Sequence, residues 1–261
     1  MKKSIMTFAS ALLCMGTGSV FADAHEEPME LPNIVPVETF TCNFKDGQTM
    51  ADLNKATAAW NKWMDAQNIG YYYAATVTPN YFGEVMFDVG WLGAWKDGNA
   101  MGSGTDLWIN NGGEVNDQFN EVCNWESHTG YASMNIRPPG DDEEDDKTFV
   151  LSFSNCSAKE GKSFEDVMAG MNAWKEHQDA NGFQASTWMM FPIYGESDSD
   201  YNFKLLEGHD NHTAFGADFE LMGNGGHWVK NAEIFDDLLE CDIARVYDAM
   251  TVRDWAEDDD G

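Results

Sequence analysis

Val37 to Phe44 alternates apolar and polar positions and is rich in β-branched and aromatic residues, and Thr148 to Phe153 repeats the pattern, so each stretch predicts a strand. After each the period lengthens. Met50, Leu53, Thr57, Trp60 and Met64, and again Phe164, Val167, Met171 and Trp174, recur at helical spacing and mark the buried stripe of a helix. Both helix starts carry a signal, Thr49-x-x-Asp52 and Ser163-x-x-Asp166, where a hydroxyl satisfies free backbone N–H groups and an acid sits in the favourable first turn. Tyr71 to Val77 and Phe82 to Trp91 predict a strand pair turning at Pro79-Asn80; Phe183 to Phe191 and Tyr201 to Leu206 predict another around Gly195 to Asp200. A Gly-rich helical region follows each pair, including Val115 to Val122 and Trp228 to Leu239. A closing strand comes near Trp125 to Ile136 and near Ile243 to Val252. The order is βαββαβ, twice.

The two series are related. Shifting the sequence by 114 residues aligns Cys42 with Cys156, Lys45 with Lys159, Gly47 with Gly161, Asp52 with Asp166, Ala59 with Ala173, Trp60 with Trp174 and Asp65 with Asp179. These are seven identities in 24 positions without a gap, and the matched Cys and Trp are rare residues. Asn111-Gly112-Gly113 answers Asn224-Gly225-Gly226, and Cys123 answers Cys241. A solenoid repeats every ~20 to 50 residues, so this longer period implies two whole domains in tandem. We place them at residues 37–137 and 148–253. Between them, residues 138–147 hold Pro138-Pro139-Gly140 and the acidic run Asp141 to Asp146, which is linker chemistry. Residues 254–261 form an acidic tail.

The order βαββαβ is the ferredoxin-like split βαβ, whose last strand lies antiparallel beside its first. Cys42 and Cys156 fall late in their first strands and Cys123 and Cys241 at the start of the last, at the same end of an antiparallel pair. The expected disulfides are therefore Cys42 to Cys123 and Cys156 to Cys241. One asymmetry remains: Cys42 shares strand parity with Phe40 and Phe44, but Cys156 shares it with Ser152 and Ser154, as a bulge or an early strand end would produce.

Disulfides require an oxidising compartment, and the N-terminus supplies the route to one. Lys2 and Lys3 form a basic region, Ile5 to Met15 an apolar one, and Ala22-Asp23-Ala24 a small-residue cleavage site, so residues 1–24 read as a bacterial signal peptide. Periplasmic or secreted localisation follows. No C-x-x-C spacing supports zinc instead. The chain has 261 residues with 13% aromatic content, too rich in core-forming residues for disorder. Its net charge of −30 repels phosphate backbones and anionic lipid, which argues against nucleic acid, or a membrane after signal cleavage, as partner.

Tandem exported βαββαβ halves with a Trp-containing first helix resemble the dimeric α/β-barrel superfamily, here fused within one chain. The resemblance implies an α+β fold, two tandem ferredoxin-like repeats packed sheet on sheet as a pseudo-dimeric α/β barrel. Members of that superfamily include cofactor-independent monooxygenases, haem-binding enzymes, isomerases and stress-induced proteins of unknown activity, so fold is narrowed more than function. A pocket between sheet and helices is also implied, which directs attention to the segments after the third strands.

There the halves diverge. One has Trp91-Leu92-Gly93-Ala94-Trp95, the other Gly208-His209-Asp210-Asn211-His212. His209 or His212 is a candidate proton carrier with Asp210 nearby; no cofactor is expected, haem or a metal at His209 or His212 being the alternative. Trp91, Trp95, Trp60 and Trp174 are candidate ligand-binding aromatics, and His177, off the helical stripe, is expected to face solvent. No Ser-His-Asp elbow, Walker loop or H-E-x-x-H is present. The sequence favours an exported acidic protein binding a small, mainly apolar or cationic ligand. The alternatives are a cofactor-independent oxygenase or isomerase, and a purely structural secreted protein.

Overall fold

The computed structural model describes residues 33–84, 87–140, 147–195 and 200–255. The expected signal peptide, the run Asp141 to Asp146 and the terminal Asp258 to Asp260 lie outside the described residues.

The first series runs β1 (Ile34–Phe44), α1 (Met50–Ala66), β2 (Tyr72–Tyr81), β3 (Val89–Trp95), α2 (Gly98–Asn111), α3 (Gly113–Val122) and β4 (Cys123–Arg137). The second runs β5 (Thr148–Ala158), α4 (Phe164–Asn181), β6 (Ser186–Tyr194), β7 (Phe203–His209), α5 (His212–Gly223), α6 (Trp228–Phe235), β8 (Leu239–Cys241) and β9 (Arg245–Arg253). Strands follow one another in the order β7-β6-β4-β1-β3-β2-β9-β5, and β5 pairs back onto β7, so eight antiparallel strands close a barrel. The short β8 pairs with the end of β5. Among the described residues, no helix is long and apolar enough to cross a membrane.

Closure corrects the expected sheet-on-sheet packing. The two series meet edge to edge, through β2 with β9 and β4 with β6. Edge strands carry rows of unpaired N–H and C=O groups, and closing the ring satisfies them while sealing the inner faces in one lumen. Period-two alternation then sorts the side chains. Val37, Leu92, Leu151, Met190 and Leu206 point into the barrel core, while Cys42, Trp91 and Trp95 join Leu53 and Trp60 beneath α1 to α3. On the other side, Cys156, Met189 and Phe203 pack with Val167 and Met171 of α4. Trp60 and Trp174 hold corresponding buried positions on α1 and α4.

Both expected disulfides are present, Cys42–Cys123 and Cys156–Cys241. The parity asymmetry has a simple origin. Both cysteines face the helical layer, and the serines sharing Cys156's parity sit under helices too, with Ser152 buried and hydrogen-bonded to Glu207.

Three local expectations are corrected. Pro79-Asn80 is no turn but lies within β2, where Pro79 opposes Tyr247 of β9. Pairing with β3 ends at Val77 and Gly90, so the missing proline N–H breaks no ladder bond on that side. Phe164 is 52% exposed, because at the first position of α4 it overhangs the sheet and touches only its rim, at Phe191. The segment Trp91 to Trp95 forms the body of β3 rather than following it. The start of α4 is as expected: the Asp166 N–H donates to Ser163 Oγ at 3.1 Å and the Ser163 N–H to Asp166 at 2.8 Å. Ser163→Ala should therefore lower stability by about 1 kcal/mol, read by urea denaturation.

Candidate functional site

A cavity of about 660 Å³ lies between the outer face of β1, β3 and β4 and the helices α1 to α3. Six tryptophans line it, Trp60, Trp63, Trp91, Trp95, Trp108 and Trp125. Trp60 stands edge-on to Trp91 at 5.0 Å and to Tyr72 at 5.8 Å. Two glycines make room for the rings: a Cβ on Gly93 would come within 1.8 Å of the Tyr72 hydroxyl, and one on Gly104 within 2.3 Å of the Trp95 ring.

Into this aromatic wall is set a polar chain. The Trp91 Nε1–H donates to the Tyr72 hydroxyl at 3.2 Å, and that hydroxyl donates to Glu38 Oε1 at 2.8 Å. The other Glu38 oxygen, Oε2, lies 2.8 Å from His128 Nε2. Pairing of β1 with β4 places Phe40 opposite His128, and the two rings stack at 3.8 Å. Burial of Tyr72, reinforced by the charge of Glu38, pushes its phenol well above the usual value, so it stays a neutral donor. His128 sits at the rim with its side chain 57% exposed. In the neutral tautomer that gives Nε2–H to Glu38, Nδ1 is the acceptor, the arrangement of an oriented base.

Of the four candidate tryptophans, Trp60, Trp91 and Trp95 line this one cavity, whereas Trp174 lies elsewhere, against Phe183, Phe235 and His177. Sequence reasoning missed Glu38, Tyr72 and His128. For Glu38 the available signal was its strand parity with Phe40 and Phe44; His128 shares parity with no aromatic residue of its strand, and only the register shift near Cys42 sets it beside Phe40 and Trp125.

His209, Asp210 and His212 do not converge. His209 is 5% exposed and its Nε2 bonds Asp218 at 3.1 Å, not Asp210. Its Nδ1 is sealed from solvent without a partner. Asp218 also accepts the backbone N–H groups of Gln184 and Ala185, so the pair ties α5 and the end of β7 to the start of β6. Asp210 is exposed, and His212 bonds Asp248 at 2.7 Å on the surface. His177, expected to face solvent, is half-buried with Nε2 2.8 Å from His227 Nδ1, and burial, then His227, lowers its pKa.

Burial works to raise the Asp218 carboxyl, but its hydrogen bonds from His209, Gln184 and Ala185 prevail and hold it below the usual value. A depressed carboxyl contributes stability above its unfolded pKa and loses it as pH falls through the folded one. Asp218→Asn should therefore cost about 1.5 to 3 kcal/mol at pH 7, with the gap to wild type closing below about pH 4 in thermal melts.

Haem, which some proteins of this fold class carry, does not suit either large cavity. Among the described residues, neither the tryptophan pocket nor the barrel lumen is lined by a Lys or Arg to meet two propionates. The tryptophan pocket instead presents Glu38 and Glu126, and at the lumen His209 Nε2 is taken by Asp218. No group of three His, Cys, Asp or Glu side chains converges among the described residues.

No family model matches the sequence, and no curated relative does. Solved structures do share the architecture. A candidate monooxygenase from Fusobacterium nucleatum superposes with a TM-score of 0.55 at 11% identity, over 86% of this chain and 94% of that one. A candidate chlorite dismutase gives 0.51 at 11% identity over 84% and 96%. The chlorite dismutase of Candidatus Nitrospira defluvii, in complex with imidazole, gives 0.50 at 7% identity over 83% and 90%. This finding corrects the expectation of a non-catalytic binding module, because the structures that share the fold are named as enzymes. At such identities the likeness carries the fold, and the chemistry must be argued from this chain's own residues. The protein has the dimeric α/β-barrel fold, one closed eight-strand antiparallel barrel with its helices outside.

Proposed function

We propose that the protein is a cofactor-independent oxygenase acting on a planar, hydroxylated aromatic substrate held in the tryptophan pocket. One observation carries this reading: the chain Trp91–Tyr72–Glu38–His128 ends in an oriented imidazole at the mouth of an aromatic cavity. Stacking and edge contacts from the tryptophans hold a flat ring system and exclude water. His128 Nδ1 removes a proton from an activated position of the substrate. Glu38 holds Nε2–H and stabilises the imidazolium that forms, while Tyr72 fixes Glu38. The electron-rich anion then reduces dioxygen, the co-substrate. For an activated methylene the balance is CH2 + O2 giving C=O + H2O, with the proton on His128 returned to the departing water.

We further infer that residues 37–137 and 148–253 are copies of one unit, fused as a pseudo-dimer and exported after cleavage of residues 1–24. Support comes from matching strand orders, β4-β1-β3-β2 and β9-β5-β7-β6, and from a disulfide that ties each first strand to the chain entering its last, at β4 in one series and at the short β8 before β9 in the other. Asp97 and Asn211 also cap the next helices alike, each accepting from the N–H three residues on.

The probe is 1,8-dihydroxyanthrone, a tricyclic ketone with an acidic methylene, added to dialysed protein in an oxygen electrode. Expected are saturable quenching of tryptophan fluorescence and oxygen uptake equimolar with substrate, well above spontaneous oxidation. Quenching without uptake, for this anthrone and for polycyclic hydroquinones, overturns the oxygenase reading.

A further inference from the structure

We propose that the barrel lumen is a second ligand site, independent of the tryptophan pocket, for an uncharged, elongated apolar molecule.

An eight-strand barrel is just wide enough for its own side chains to fill, or to hold one small ligand if they do not. In this barrel the two ends differ. At one end Val77, Tyr131, Phe153, Tyr247 and Ala249 pack into solid core. At the other, where β1, β2, β5 and β6 begin, the inward positions include Ala94, Ser133, Ser186 and Gly208, and a cavity of about 980 Å³ remains. All eight barrel strands contribute to its wall. The volume is at the upper end of the roughly 300 to 1,000 Å³ typical of ligand sites. Protein interiors otherwise pack to crystal density, so an apolar space this large is costly unless something fills it.

The wall identifies the occupant's class. Val37, Leu92, Leu151, Met190, Leu206 and Trp188 supply most of its wall. Ser133, Ser186 and Thr251 add hydroxyls, Gln184, Asp210 and Asn211 further polar groups, and His209 a buried Nδ1 without a protein partner, which a hydroxyl or carbonyl of the ligand could meet. With no Lys or Arg among the described lining and a net charge of −30, a carboxylate or phosphate head group would enter unpaired. A cation would find only Asp210, which is exposed to water. A neutral chain or ring system bearing at most a hydroxyl or carbonyl is what remains. The site is separate from the outer pocket because strand alternation divides them: Leu92 and Ala94 face the lumen, Trp91 and Trp95 the tryptophan pocket.

The test titrates the full chain with neutral N-phenyl-1-naphthylamine and with its anionic relative 1-anilinonaphthalene-8-sulfonate. Expected are saturable one-to-one binding of the neutral probe and at least tenfold weaker binding of the anion. Ala94→Phe, which fills the lumen, should weaken the neutral probe at least tenfold with an unchanged circular dichroism spectrum. Thr105→Trp, which crowds the outer pocket, should leave it unchanged. If Ala94→Phe fails to fold, Val35→Trp at the lumen mouth carries the same expectation. Absence of saturable binding, equal affinity for the anion, or sensitivity to Thr105→Trp but not to the lumen variants would overturn the proposal. None of these outcomes depends on oxygenase activity.

Discussion

Replacing His128 by alanine should lower kcat for anthrone oxidation by about 10²- to 10⁴-fold, the usual worth of a positioned general base. The fold should persist: the side chain is 57% exposed, and losing its stack on Phe40 and its bond to Glu38 should cost about 1 to 2 kcal/mol. Glu38→Gln tests the same chain one step inward. The amide still fits between Tyr72 and His128, but it carries no charge to stabilise an imidazolium, so kcat should fall while quenching by the substrate persists. Tyr72→Phe should have a smaller effect on kcat, since it leaves the Glu38–His128 pair in place and removes the hydrogen bond that fixes Glu38 and the acceptor of the Trp91 N–H. Steady-state kinetics with melting curves on the three variants check this order. Full activity in His128→Ala would remove the base from the mechanism.

The second large effect concerns the disulfides. Cys42–Cys123 spans 81 residues and Cys156–Cys241 spans 85. On the chain-entropy account, closing loops of that length stabilises the fold by about 4.5 kcal/mol each. A domain's whole stability is about 5 to 15 kcal/mol, so replacing all four cysteines by alanine should leave the fold marginal or absent at 37 °C. Each pair alone should lower the urea midpoint by about half as much. A four-alanine variant within about 2 kcal/mol of wild type would contradict the account of the bridges as structural staples.

The elements themselves were legible because their signals are local. The stripe from Leu53 to Met64, the pair Ser163 and Asp166, and the matched cysteines all act within one strand, one turn or one repeat. The resemblance implied a barrel, but the edges that close it were not legible in the residues, because pairing of β2 with β9 and of β4 with β6 joins segments far apart in sequence, with no residue pattern marking the partner. The same distance hid the candidate base. Tyr72 lies 34 residues from Glu38 and His128 lies 90 residues from it, so only register brings them together. Conversely, His209, Asp210 and His212 are neighbours in sequence, but the end of β7 and the start of α5 aim them apart, toward Asp218, solvent and Asp248. Adjacency suggested a constellation where the backbone separates one. The tryptophans were easier to identify because rare, large rings at strand spacing have few places to go.

The central claim is that this chain's own residues carry an oxygenase reaction in the tryptophan pocket. The most direct measurement is turnover of 1,8-dihydroxyanthrone under 18O2 in ordinary water, with protein shown free of haem and metal by absorbance and elemental analysis. The expected result is a quinone product heavier by one 18O atom, formed by wild type and not by His128→Ala. A product without 18O, or turnover that appears only when haem or a metal is added back, would contradict it.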